Sequence, residues 1–485
     1  MDTVVLPPVA PILIEATRAI GYSVETAIAD IVDNSLAANA IRVEINFFPF
    51  DNPYMAILDN GIGMDSEELI QAMRFGSKDP LGKRTMTDLG RFGLGMKTAS
   101  LSQCRKLTVV SKQGGALSAA QWDLDVIDKS GDWSLGVLDL NDIVTYPYIE
   151  RLVRYDSGTL VIWQNLDRMN LGESDAGQTM GARMDRVRDH LSLVFHRYLR
   201  GEQGLRKVEI LINDLNIDAT DPFLTGKSMQ VMDEEIINVN GHKVIVRPYT
   251  LPHISLLSEK EIKRLGGKEG LRKQQGFYIY RNKRLLVWGT WFRLMRRGEL
   301  SKLARVQIDV PNALDYLWAL DIKKSLAVPP EVVRKSLGVI IDKIADSSKK
   351  TWVFRGKRET NDADIHIWSR YKSRDGGVVY EVNRDHPLVE ALSALGTNEK
   401  LTVEQLLVQI ERFLPLNQLY IDLTSDMRIT NESEIAKDDV VPLFKHLLDS
   451  CKDLQQREAL VARLSVAEPF NQHPEWLRML WQEGE

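Results

Sequence analysis

The chain has 485 residues with 44% hydrophobic and 27% charged side chains, and its formal net charge is −5. That balance suits a soluble globular protein of two to four domains at roughly 100–200 residues each. It excludes a disulfide scaffold and a cysteine metal site, since only Cys104 and Cys451 occur, far apart.

Buried, inert thiols in a reducing cytoplasm are therefore expected. No uncharged apolar run approaches the length of a membrane span. The opening "MDTVVLPPVAPILIEATRAIGY" lacks a basic n-region and is broken by prolines, so it reads poorly as a signal peptide.

Residues 11 to 110 alternate helical and strand patterns. "SVETAIADIVDNSLAANA" has apolar residues at helical spacing, with Ser23 as N-cap candidate. "IRVEINFFPF" and "YMAILDN" read as strands, followed by 116–126 and "SGTLVIWQNL". "RMDRVRDHLSLVFHRYLR" is an amphipathic helix leading into the strand "KVEILIND". This mixture predicts a layered α+β domain over 1–225. A second mixed segment, 226–345, holds the strands "HKVIVRPY", "GFYIYRNKRLLVW" and "ARVQIDV" and the short helix "SEKEIKRLGG". Residues 346–485 read as mostly helical, with no role legible.

The net charge hides a local excess. Between Lys260 and Arg305 there are fourteen Lys/Arg against three Asp/Glu, which leaves −16 for the rest of the chain. Tyr278, Tyr280, Trp288, Trp291 and Phe292 are interleaved with these charges. A basic, aromatic-rich surface suits nucleic acid, bound through its phosphates without sequence preference.

"LGRFGLGMKTAS", Leu89 to Ser100, carries three glycines and a lysine. It is not a P-loop, because Met96 separates Gly95 from Lys97. It is not a dinucleotide fingerprint, because Thr98 stands where the third glycine belongs. What remains is a flexible loop opening a helix, where backbone N–H groups favour an anion. Upstream, Asp30 and Asn34 lie four apart on one helix and share a face. In "LDNGIGM", Asp59 ends an apolar strand, and Gly61 and Gly63 allow a tight turn and a close approach to a ligand. Thr159 begins a later strand.

This order of elements resembles the GHKL ATPases, which include gyrase, the ninety-kilodalton heat-shock chaperone, histidine kinases and the mismatch-repair MutL protein. "ADIVDN", "DNGIGM", "GRFGLGMK" and "GT" resemble their four boxes, and the MORC and MutL branch is the nearest in pattern. The resemblance covers about 11–345. It implies a GHKL (Bergerat) ATP-binding sandwich, then a transducer-like α/β domain, before the helical C-terminal region.

The resemblance further implies ATP and Mg²⁺ as ligands, with Asn34 on the metal. Asp59 would accept from the adenine amino group, Thr159 would support it, and Met64 would pack on the purine. Gly90, Gly93 and Gly95 would wrap the phosphates, with Lys97 adding charge. Asp30 matches the general base but is one methylene shorter than the usual Glu. Glu25, on the same helix, points about 140° away. Lys324, with Lys323 as the alternative, matches a lysine that reaches the γ-phosphate from the second domain. The branch implies an ATP-driven homodimer clamping DNA through the Lys260–Arg305 surface, or a protein partner, in a DNA-processing or defence system. The rival readings are a chaperone-like machine acting on proteins and a nucleotide-gated module with little hydrolysis.

Overall fold

A computed structural model describes residues 3–4, 8–19, 21–76, 95–169, 176–230, 233–252, 256–266, 270–298, 301–318, 329–341, 365–372, 378–391, 397–416, 453–472 and single positions between 419 and 477. These form two compact units, Met1–Val353 and Phe354–Glu485. The first unit contains both of the mixed segments expected from the sequence.

It opens with α1 (Ala10–Arg18), α2 (Val24–Ala37), β1 (Arg42–Phe48), β2 (Tyr54–Asp59), α3 (Ser66–Met73) and α4 (Gly95–Leu101). Then follow β3 (Lys106–Gln113), β4 (Ala116–Asp123), α5 (Leu124–Ser130), β5 (Gly136–Leu138), α6 (Leu140–Ile143), α7 (Ile149–Arg154) and β6 (Gly158–Gln164). The long helical pattern becomes α8 (Ala176–Val194) and α9 (His196–Arg200), which break at Phe195, before β7 (Glu209–Ile212) and β8 (Leu215–Asn216). Ser23 caps α2 as expected, its hydroxyl accepting the Thr26 N–H at 3.3 Å.

The eight strands run in the order β5-β4-β3-β6-β2-β1-β7-β8. Side-chain alternation divides them between two cores. Met55 and Ile57 of β2 join Val109, Val161 and the apolar faces of α2 and α8. Ala56 and Leu58 join Leu160, Ile149 and Leu152 on the other face. Because both faces are covered, β2 reads in sequence as an unbroken apolar run.

The second sheet is built from β9 (Met229–Gln230), β10 (Glu235–Val239) and β11 (His242–Thr250). After helix α10 (Glu259–Gly266) it adds β12 (Gly276–Arg281), β13 (Arg284–Thr290) and β14 (Ala304–Val310). Its order is β10-β11-β14-β12-β13, with β9 beside β11. Val246, Phe277, Ile279, Val306 and Ile308 face Val333, Leu337 and Ile340 of a helix over 331–341. The alternate residues face the first sheet's helices. There His196 Nε2 meets the Tyr280 hydroxyl at 2.7 Å. Arg197 pairs with Glu202 and Asp309. The Tyr198 hydroxyl donates to the Asn282 carbonyl at 2.6 Å. Asn282 and Lys283 both have positive φ, the turn geometry of a tight hairpin.

This packing corrects the reading of 260–305 as one basic surface. Arg281, Arg284, Lys302 and Arg305 are buried, as are Tyr278, Tyr280 and Trp291. The aromatic–basic interleaving is strand alternation, with Tyr278 and Tyr280 packed against Phe223. Among the described residues of this stretch, the exposed cations are Lys260, Lys263 and Arg264 on α10, Arg272 and Lys273, and Arg293, Arg296 and Arg297 beyond β13.

In the second unit, helices Pro387–Ala391, Thr397–Arg412 and Leu454–Leu464 accompany a hairpin of β15 (Trp368–Lys372) and β16 (Val378–Val382). The sequence reading as mostly helical missed this hairpin. Cys104 is buried, which pushes its thiol well above the usual range, and Cys451 is half-buried. No helix among the described residues is long and apolar enough to cross a membrane.

His190 and His196 lie in the seam between the two sheets, and burial lowers both to about 4. The unfolded chain protonates them near 6.5. Between those values it binds more protons than the fold does, so stability is full above about 6.5 and is lost as pH falls toward 4. The loss is on the order of 3 kcal/mol per histidine. Urea titrations at pH 7 and 4.5 should show it, and His190→Gln should reduce the difference. An unchanged difference would remove His190 from this account.

Candidate functional site

The alternation that builds the first core also builds the site. Asp59 continues the 55–57–59 face of β2, so its carboxylate lies on the side of α2. In register, Asp59 stands opposite Thr159 of β6, and Thr159 opposite Ser111 of β3. Three polar side chains thus line up across one end of the sheet. Ser35, on α2, donates to Asp59 Oδ2 at 2.7 Å, and the Gly61 N–H donates to Oδ1 at 2.9 Å. Burial pushes the Asp59 carboxyl above the usual range, against the opposing pull of the Gly61 and Thr159 backbone N–H groups and the Ser35 hydroxyl. Three donors still leave a carboxylate, with about four lone-pair sites, acceptor capacity for a ligand amino group.

The Thr159 and Ser111 hydroxyls share a hydrogen bond at 3.0 Å. Ser111 also donates to the Gly158 carbonyl at 3.1 Å and accepts the Met64 N–H at 2.9 Å. Met64 is half-buried against the first core. Ser35 and Ser111 escaped the sequence reading. Their signal was the register itself, which places Ser111 level with Thr159.

The glycines after Asp59 allow the tight turn expected of them. A Cβ on Gly61 would lie 2.8 Å from the Ala38 carbonyl oxygen. Gly63 has φ +70°, and a Cβ there would lie 2.0 Å from the Lys112 carbonyl oxygen. Both clear space for protein backbone, folding the loop onto α2 and β3.

On α2, Asp30 is 3% exposed and Asn34 is exposed. Asp30 Oδ2 accepts from the Tyr22 hydroxyl at 3.1 Å. It also lies 3.5 Å from where a Cβ of Gly95 would stand. The start of α4 therefore meets Asp30, 65 positions away in sequence. The Asn34 amide oxygen is a hard donor suited to Mg²⁺ shared with phosphate oxygens.

Lys97, expected to add charge at the phosphates, lies in α4. It is buried, and its ammonium donates to the Ala72 carbonyl at 2.6 Å, at the end of α3. Gly90, Gly93, Lys323 and Lys324 lie outside the described residues.

One contact of α2 was invisible in the sequence. Asp33, buried between Asp30 and Asn34 in sequence, receives Arg284 Nε on both carboxylate oxygens at 3.2 Å. Arg284 begins β13 of the second sheet, and its guanidinium lies 5.7 Å from the Phe195 ring centroid. This helix residue is thus the ion-pair partner of a strand residue 251 positions away.

Residues 22–159 match the family described as histidine kinase-, DNA gyrase B-, and HSP90-like ATPase. They form a GHKL-type ATPase domain, and that family implies ATP and Mg²⁺. The chain is 33% identical over 95 residues to ATPase morc-1 of Caenorhabditis elegans, covering 19% of this chain and 11% of that protein. It is 31% identical over 98 residues to ATPase MORC2B of Mus musculus, covering 19% and 9%. The chain thus spans about a tenth of the length of these relatives. A crystal structure of the N-terminal domain of a DNA repair protein aligns over 70% of this chain and 98% of its own, with a TM-score of 0.41 and 15% identity. That likeness is too loose for inference.

Breaking a buried ion pair strands a charge, at a cost of about 3–5 kcal/mol. Arg284→Met should therefore destabilise the first unit by that order in urea titrations. Adding Asp33→Leu should recover most of the loss, because neither charge then remains buried. A single variant as stable as wild type would mean that the pair carries no such cost.

Proposed function

We propose that the chain binds ATP with Mg²⁺ at this site, hydrolyses it slowly, and uses the bound nucleotide to form a homodimer that clamps DNA. The observation that carries the reading is the convergence of Asp30, Asn34, Asp59, Thr159 and Gly95 from four separate segments at one end of the first sheet. Asp59, oriented by Ser35 and Gly61, accepts from the adenine amino group, and Thr159 supports that contact. Asn34 contributes an oxygen to Mg²⁺, whose charge offsets that of the triphosphate. Asp30 takes the proton of the attacking water. Gly95 brings the α4 backbone to the same place, and Gly90 and Gly93 keep the phosphate-wrapping role implied by the family likeness.

Dimerisation is supported by apolar residues exposed on and beside α1, Val9, Ile12 and Leu13, the second of them 70% exposed. α1 packs against α4 and α5, so it borders the site. Lys324, with Lys323 as the alternative, remains the proposed sensor of the γ-phosphate. DNA would bind the exposed cations of α10 and the turns around β12 and β13. The reading places the chain in a reducing cytoplasm, in DNA processing or defence. The short arm of Asp30 favours the second reading, a nucleotide-gated module with little hydrolysis.

Asp59→Asn should weaken ATP binding by at least about tenfold, since a hydrogen bond to a charged group is worth roughly 1.5–3 kcal/mol. Calorimetry on a folded variant checks this, and unchanged affinity removes the adenine assignment. Asp30→Ala should spare binding while lowering phosphate release by about 10²–10⁴.

Sedimentation with ATP, ADP and no nucleotide tests the clamp, because only a ligand that favours one state shifts the equilibrium. One unchanged species in all three conditions would rule it out. If DNA binds, replacing several exposed cations of α10 should flatten the salt dependence of its affinity.

A further inference from the structure

Asp30 poses a geometric problem. A general base must come within about 2.6–3.2 Å of the water it activates, and an aspartate has one methylene less than the usual glutamate with which to do so. With the α2 backbone fixed by packing, the short arm has only χ1 and χ2 to aim its carboxylate. An effective site then needs a second group to hold that aim.

Tyr22 is built for this. It precedes the N-cap Ser23, and its hydroxyl donates to Asp30 Oδ2 at 3.1 Å. The tyrosine is 7% exposed. Its carbonyl accepts from Gln103 Nε2 at 3.1 Å, and the same amide group donates to the Ser102 hydroxyl at 2.8 Å. Gln103 follows α4, the helix whose first residue, Gly95, faces the same carboxylate oxygen. Tyr22 is thus fixed at its backbone to the α4 side and at its hydroxyl to α2. A rigid ring with two torsions transfers that anchoring to the carboxylate at low entropic cost.

We infer that Tyr22 is a positioning residue for ATP hydrolysis, holding the plane of the Asp30 carboxylate so that the shorter side chain serves as the base. This rests on the reading of Asp30 given above. In the step itself, the water oxygen bonds to the γ-phosphorus. The bond from that phosphorus to the bridging oxygen breaks, its electron pair leaving with ADP, and the water proton passes to the Asp30 carboxylate. Tyr22 touches none of the reacting atoms.

The test uses the full chain, with phosphate release for kcat and KM and calorimetry with a non-hydrolysable ATP analogue for binding. Tyr22→Phe keeps the ring and removes the hydroxyl. It should lower kcat about tenfold while leaving KM and the analogue Kd within twofold. Asp30→Glu alone should also be slow, because the hydroxyl occupies the space the longer arm needs. In the Asp30→Glu background, Tyr22→Phe should raise kcat. That reversal of sign separates positioning from a structural role, which would lower turnover in both backgrounds.

Absent turnover in wild type, or turnover retained in Asp30→Ala, would overturn the hydrolysis reading and this inference with it. Turnover lost in Asp30→Ala but unchanged in Tyr22→Phe would overturn the inference alone. So would a weakened analogue affinity in Tyr22→Phe, or a further loss on adding it to Asp30→Glu.

Discussion

The buried pair of Asp33 and Arg284 fixes the helix on which the rest of the site depends. α2 carries Asp30 and Asn34, the proposed base and metal contact, and Ser35, which orients Asp59. A helix packed only through apolar side chains can slide or rotate at modest cost. An ion pair removed from water resists this, because separating the charges leaves them buried without their opposite charge. Both oxygens of Asp33 are engaged, so the azimuth of α2 is specified as well as its depth. The second sheet, far away in sequence, is thereby part of the scaffold that holds the helix bearing the proposed site residues.

Around this pair the two sheets meet through polar contacts more than through an apolar core. His196 with Tyr280, Arg197 with Glu202 and Asp309, and Tyr198 with Asn282 lie along one line of contact. Such a seam is directional, since each contact fails when its geometry changes. A change at the nucleotide end of α2 therefore bears on the β12–β13 hairpin, which holds both Asn282 and Arg284. The reading of the second sheet as a transducer gains a physical route from these residues.

Much of the site was legible because strand alternation is strict. The apolar run ending in Asp59, the capped helix bearing Asp30 and Asn34, and the strand opening at Thr159 could all be read by period and punctuation. Less legible was whatever depends on pairing between distant segments. Nothing in "DIVDNS" announces that Asp33 rather than a solvated neighbour meets Arg284, and nothing near Ser111 announces its bond to Thr159. The basic stretch failed for a related reason. Counting charge along the chain ignores the alternation that sends Arg281, Lys302 and Arg305 inward, while Lys260, Lys263 and Arg293 lie on a helix and a turn. The bond from Lys97 to the Ala72 carbonyl was equally hidden, because it joins the start of α4 to the end of α3. The β15–β16 hairpin had a signal, Asp375-Gly376-Gly377 between two β-branched or aromatic runs, which the surrounding helical patterns obscured.

The Asp33–Arg284 pair also bears on ancestry. ATPase domains of this kind are usually thought of as cassettes, recombined in evolution with whatever follows them. Here the cassette has its lock on one side and its key on the other. A lineage that exchanged the second sheet for an unrelated one would lose the Arg284 partner of Asp33, and one that exchanged the first would lose the Asp33 partner of Arg284. Exchange of either half therefore calls for a compensating change at the other partner, as when both charges give way to apolar side chains.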